Sequence, residues 1–125
     1  MNVTRGGAET ATGPSESFTG DVYIDTIATP SGPSRLNVSS VHFTPGARTA
    51  WHAHPNGQTI YVTEGVCLAQ GRGAGIQVLR PGDPGQTIFA YTAEPNSPSH
   101  DALNLLASWS STPNQSSAIH ADEER

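Results

Sequence analysis

The run PGARTAWHAHPNGQTIYVTEG, residues 45–65, gathers the side chains of this sequence best suited to hold a metal ion. His52 and His54 stand two residues apart, and Gln58 follows four residues after the second histidine. On a β-strand, residues i and i+2 face the same side, so the two imidazoles project together while Trp51 and Ala53 point the other way. A second strand beyond the PNG turn at 55–57 begins near Gln58, and a hairpin folding back there brings the amide oxygen beside the two rings. Imidazole suits iron, manganese, nickel, copper and zinc, and an amide oxygen is a hard neutral donor. The set is therefore sound for a divalent ion without selecting one. A bare His-x-His pair on a strand is by itself more often exposed or hydrogen-bonded than ligating, so the weight rests on the spacing of its neighbours.

The elements that position these residues read as strands. VYIDTIA, RLNVSSVHF, RTAWHAH, QTIYVTEG, VCLAQG, IQVLR, QTIFAYTA and ALNLLASW are eight β-branched or aromatic runs separated by turn residues. Thirteen glycines and ten prolines suit many tight turns better than a helical bundle. HDALNLLAS, residues 100–108, fits a helix by pattern alone, but no long helix competes elsewhere. The expected class is all-β, a sandwich or jelly-roll barrel. A chain of 125 residues fits one domain. We place it at 18–112, with a Gly/Thr/Ser-rich tail at 1–17 and a tail ending in acidic residues at 113–125.

Composition narrows the partners. Six Lys plus Arg against eleven Asp plus Glu leave a net charge of −5, with no basic cluster to track a phosphate backbone, so nucleic acid is not an expected partner. No run has the charged start and apolar stretch of a signal peptide or the length of a membrane span, and no membrane partner is expected. The lone Cys67 forms no internal disulfide, which fits a reducing cytoplasm. Asn-x-Ser/Thr triplets at Asn2, Asn37 and Asn114, without a secretory signal, read as chance.

Gly46, five residues, His52-Ala53-His54, three residues, Gln58, six residues and Gly65 resemble the first signature of the cupin superfamily, G(X)5HXH(X)3–4E(X)6G, with Gln in place of Glu. The likeness covers roughly residues 18–90. It is nearest to small single-domain bacterial cupins with Gln at this position, among them the manganese-dependent hydroxynitrile lyases. The resemblance implies a jelly-roll β-barrel, the double-stranded β-helix. It also implies a metal held by His52, His54, Gln58 and a third histidine, and an inward face carrying Ser39 and Val41, with His42 outside. The second cupin motif, G(X)5PXG(X)2H(X)3N, is altered. Pro95, Ser97 in place of Gly, His100 and Asn104 reproduce its spacing, but the gap back to Gly82 is too long. On this alignment His100 is the fourth ligand. A competing alignment puts QTIFAYTAEP on the strand leading into the motif and ALNLLASW on the last barrel strand, and leaves the third histidine out.

A neutral Gln where many cupins have Glu leaves the charge of a divalent ion uncompensated, which favours Lewis-acid chemistry on an alkoxide, enolate or cyanide. The resemblance implies manganese, and iron, nickel or zinc meet the same donors. The expected function is that of a metal-dependent enzyme on a small organic molecule, by hydroxynitrile lyase-like chemistry or by oxidation with dioxygen at iron. Its alternative is a degenerate cupin that has lost its metal and binds a small molecule. Hydroxynitrile lyase-like cupins place a further histidine near the third ligand as proton-transfer base, and no such histidine adjoins His100. A homodimer is expected by resemblance. Tyr61, Tyr91 and Trp109 read as packing residues, Glu64 as a solvated strand end, Cys67 as a small buried hydrophobe and His120 as a solvated tail residue.

Overall fold

The computed structural model describes residues 1, 3–7, 9–90, 103–111 and 120–121, with 87–90 and 120–121 described through their backbone. Among the described residues there are eleven strands and no helix. They are β1 (Ala11–Thr12), β2 (Phe18–Thr19), β3 (Val22–Ala28), β4 (Leu36–Phe43), β5 (Arg48–Thr49), β6 (His52–Glu64), β7 (Cys67–Ala69), β8 (Gln77–Leu79), β9 (Pro84–Ala90), β10 (Leu103–Ser110) and β11 (His120–Ala121). The all-β expectation is met, and among the described residues no helix is long and apolar enough to cross a membrane.

The main sheet runs β1-β3-β4-β10-β6, all antiparallel, with β9 on the far edge of β6. β11 pairs with β6 at Ala53 and His52, on the edge that β10 occupies further along the strand. Two small sheets, β2–β5 and β7–β8, complete the described structure. Among the described residues the sheets do not close into a continuous hydrogen-bonded barrel. Ala11–Thr12, inside the stretch expected as a tail, pairs with β3, and His120–Ala121 of the expected C-terminal tail pairs with β6.

Period-two alternation explains these strands. On β4, Asn37, Ser39, Val41 and Phe43 are buried while the residues between them are not. On β10, Leu103, Leu105 and Ala107 are buried and alternate with Asn104, Leu106 and Ser108. The helical pattern of 100–108 loses here because β10 is bonded along both edges, to β4 and to β6, and a helix would forfeit both ladders. In register, Val41 faces Ile24 on one side and Leu105 on the other, and Leu105 faces Val62. These side chains, with Phe18, Val22, Phe43, Ile60 and Cys67, form the core. Each fully buried aliphatic there contributes about 1.5–3 kcal/mol. Phe18 enters the core edge-on to Phe43, with ring centroids 6.0 Å apart.

Candidate metal centre

The expected hairpin between His54 and Gln58 does not form. β6 is one strand of thirteen residues, and the PNG stretch is a bulge within it. From Ala53 to Gln58 there are five steps on β6, against two on β9 from Phe89 to Thr87, so three residues are extra. Their chemistry accounts for the bulge. Pro55 has no N–H to give to a ladder, and Gly57 adopts φ +81°, a conformation that L side chains rarely take. Asn56 turns outward, and its Nδ2 donates to the Ser110 carbonyl at 3.0 Å, which ties the bulge to β10. Gln58 then re-enters the strand as a buried residue. His52, His54 and Gln58 are 2 %, 3 % and 7 % exposed, and His52 and Gln58 line a common cavity.

The tautomer of His52 follows from its neighbour. Nδ1 lies 2.8 Å from the Ala50 carbonyl oxygen, which can only accept, so Nδ1 carries the proton and Nε2 keeps its lone pair. Metal-binding histidines are oriented by such a contact. The His54 ring stands 5.0 Å from that of His52, nearly perpendicular at 86°, and 5.1 Å from the indole of Trp109. Both Nε2 atoms are buried, and neither is hydrogen-bonded among the described residues. Two neutral imidazoles and an amide oxygen fit a divalent ion. Among the described residues no group of three or more His, Cys, Asp or Glu side chains gathers. His100 and Tyr91 lie outside the described residues.

A cavity of about 320 Å³ adjoins this set, with His52 and Gln58 in its wall. Val41, Phe43, Ile60 and Leu105 make it apolar, while Gln70, Gln77 and Gln86 add amide groups. Among the described residues lining it there is no Asp, Glu, Lys, Arg or Tyr. Val41 also lines a second cavity of about 230 Å³, which includes Ser39, Phe18, Ala107 and Trp109. Ser39 lines this second space rather than the first. His42 stands on the opposite face of β4, where Nδ1 donates to Asn104 Oδ1 at 2.6 Å and the ring stacks on Tyr23.

Trp109, read from the sequence as a packing residue, packs against the core, and its indole also stands beside His54. It shares a face with Leu105 and Ala107 by period two, and in register it lies between Gln58 on β6 and Asn37 on β4. That alternation was the available signal. Glu64 is exposed at the end of β6 and lines neither cavity. Burial pushes the Cys67 thiol up to about 12, so it stays protonated and unreactive at neutral pH.

No family model matches the chain. It is 38% identical over 109 residues to an (R)-mandelonitrile lyase of Granulicella tundricola, an alignment covering 82% of this chain and 83% of that protein. Among solved structures, a cupin-like protein of Thermotoga maritima is 33% identical, with a TM-score of 0.70 over 80% of this chain and 76% of that one. A predicted oxalate decarboxylase of Thermotoga maritima superposes with a TM-score of 0.71 at 16% identity, covering 88% of this chain and 98% of that one, a likeness of fold alone. The jelly-roll strands, the histidine pair and glutamine on one strand of the sheet, and these relatives agree: the chain belongs to the cupin superfamily and resembles its hydroxynitrile lyase-like group.

Proposed function

We propose that the chain is a divalent-metal-dependent cupin enzyme acting on a small uncharged molecule. His52, His54, Gln58 and His100 are its ligands, and its reaction is lyase chemistry on a cyanohydrin or carbonyl compound. The observation that carries this reading is the burial of two imidazoles and one amide on a single strand, beside a cavity with no charged side chain among the described residues that line it. The 38% identical relative named for mandelonitrile supports the substrate class.

Bound by neutral donors, a divalent ion supplies an uncompensated positive charge that favours an alkoxide or cyanide beside it. Manganese follows the resemblance. The chain's own residues supply the rest. Val41, Phe43, Ile60 and Leu105 offer an apolar wall for the hydrocarbon part of a substrate, and Gln70, Gln77 and Gln86 offer amide N–H groups to its oxygen. The cavity, about 320 Å³, sits at the small end of ligand sites. In the cyanohydrin direction the hydroxyl proton passes to solvent water, the oxygen's electron pair forms the C=O bond of the carbonyl product, and the bond to the nitrile carbon breaks, with cyanide leaving on that bond's electron pair and taking up a proton from water as hydrogen cyanide.

A second reading has its own observation. Among the described residues lining the cavity, none is a carboxylate, lysine or tyrosine that could move that proton, which favours a cupin that binds a small molecule without turning it over. One experiment separates the readings. The protein is loaded in turn with manganese and iron, then assayed for cyanide release from mandelonitrile and for dioxygen consumption with small ketones. Cyanide release that disappears in His52→Ala supports the lyase; dioxygen consumption moves the reaction to oxidation; ligand-induced thermal stabilisation without turnover supports the binding module.

A further inference from the structure

We propose that Trp109 is a positioning residue for the His54 imidazole. The inference rests on the metal reading above. The His52 ring is oriented by its hydrogen bond to the Ala50 carbonyl at 2.8 Å. The His54 ring packs against two ring systems, His52 at 5.0 Å and 86° and the Trp109 indole at 5.1 Å and 45°.

The sequence around Trp109 keeps the indole there. In register Trp109 pairs with Gln58 on β6 and with Asn37 on β4, so it stands one strand away from a metal-binding candidate. Asn37 is 2 % exposed, and its Nδ2 donates to the carbonyls of Arg35 at 3.3 Å and Trp109 at 3.4 Å and to Ser111 Oγ at 2.7 Å. These contacts fix the backbone that carries the indole. Trp109 also lines two separate spaces, one shared with Gln58 and one shared with Ser39 and Val41. His54 itself lines neither space. Removing the indole takes away one of the rings packed against the imidazole, and a ligand whose support is loosened in this way binds metal more weakly.

The test uses Co²⁺ as the probe, with affinity taken from titration and ligand geometry from the visible bands of the bound ion. Trp109→Leu, Trp109→Phe and the control Trp51→Phe are compared with the wild type, each first shown to be folded in chelator by circular dichroism. We expect Trp109→Leu to raise the Kd about 10-fold or more and to change the visible bands, as outer supports of metal ligands do. Trp109→Phe, which keeps a ring against His54, restores both, and Trp51→Phe leaves both unchanged. Should Trp109→Leu fail to fold, Trp109→Met replaces it in the same comparison. Unchanged affinity and bands in the aliphatic variant overturn the proposal, as does a loss of affinity matched by Trp51→Phe with the bands intact. A wild type that binds no Co²⁺ removes the metal reading itself, and this inference with it.

Discussion

Replacing Gln58 by Glu tests the site at the atom where this chain departs from the more common cupin signature. Gln58 is 7 % exposed, so Gln58→Glu puts a carboxyl where an ionised group is poorly solvated. Without metal, the folded variant keeps a proton on the carboxyl or gains one on the neighbouring imidazoles, while the unfolded chain has lost it above about pH 4.3. The folded state then binds more protons than the unfolded state. Stability falls as pH rises, at up to about 1.4 kcal/mol per unit. From pH 4.3 to 7 the ceiling is about 3.7 kcal/mol, and an unfolding entropy near 0.26 kcal/mol/K for a chain of this length converts it to a fall in Tm of about 14 °C. A bound divalent cation reverses the balance, because it compensates the new charge. The assay is thermal unfolding of wild type and Gln58→Glu from pH 5 to 8, in chelator and with 1 mM Mn²⁺ (roughly 100-fold over a 10 μM site). We expect the variant to lose stability with pH in chelator and to gain more than the wild type from the metal. Parallel curves in chelator, with equal stabilisation by Mn²⁺, would refute the placement of Gln58 in a buried metal-binding set.

Two further outcomes follow from single residues. Cys67 titrates near 9.0 when unperturbed and about 12 in the fold, so stability attributable to it is complete below pH 9 and declines between pH 9 and 12. Urea unfolding of wild type and Cys67→Ala across that window shows a shallower decline for the variant, by up to about 1.4 kcal/mol per unit. Gly57→Ala costs about 1 kcal/mol, because the added Cβ meets nothing within 4 Å and the penalty is the +81° backbone angle alone. The same variant weakens metal binding if the bulge sets the position of Gln58, which isothermal titration measures.

The strands were legible where one physical rule decided them. On β4 and β10 burial has period two, and Val41, Phe43, Leu103, Leu105 and Ala107 all fall on the buried face. The histidine pair was legible for the same reason, since i and i+2 share a face on any strand. The path from His54 to Gln58 was not. A Pro-Asn-Gly triplet suits a hairpin turn and a strand bulge alike, and only the pairing of β6 with β9 on one edge and β10 on the other decides for the bulge. Trp109 was hidden by a different cause. A lone aromatic on a strand has no local mark of function, and its contact with His54 spans 55 positions of sequence. Ser39 and Val41 share the buried face of β4 and both line the second cavity, and only Val41 also lines the one beside His52 and Gln58. His100 lies outside the described residues, so the fourth ligand rests on the altered second motif alone.

The most direct measurement is the metal content of the purified protein by elemental mass spectrometry, after growth with added manganese, iron or zinc, for wild type, His52→Ala, His54→Ala and His100→Ala. The account predicts close to one divalent ion per chain in the wild type and its loss in each of the three variants. A folded wild type that carries no metal under any supplementation contradicts the central claim and leaves a small-molecule-binding cupin, while loss in the first two variants with retention in His100→Ala removes His100 from the ligand set.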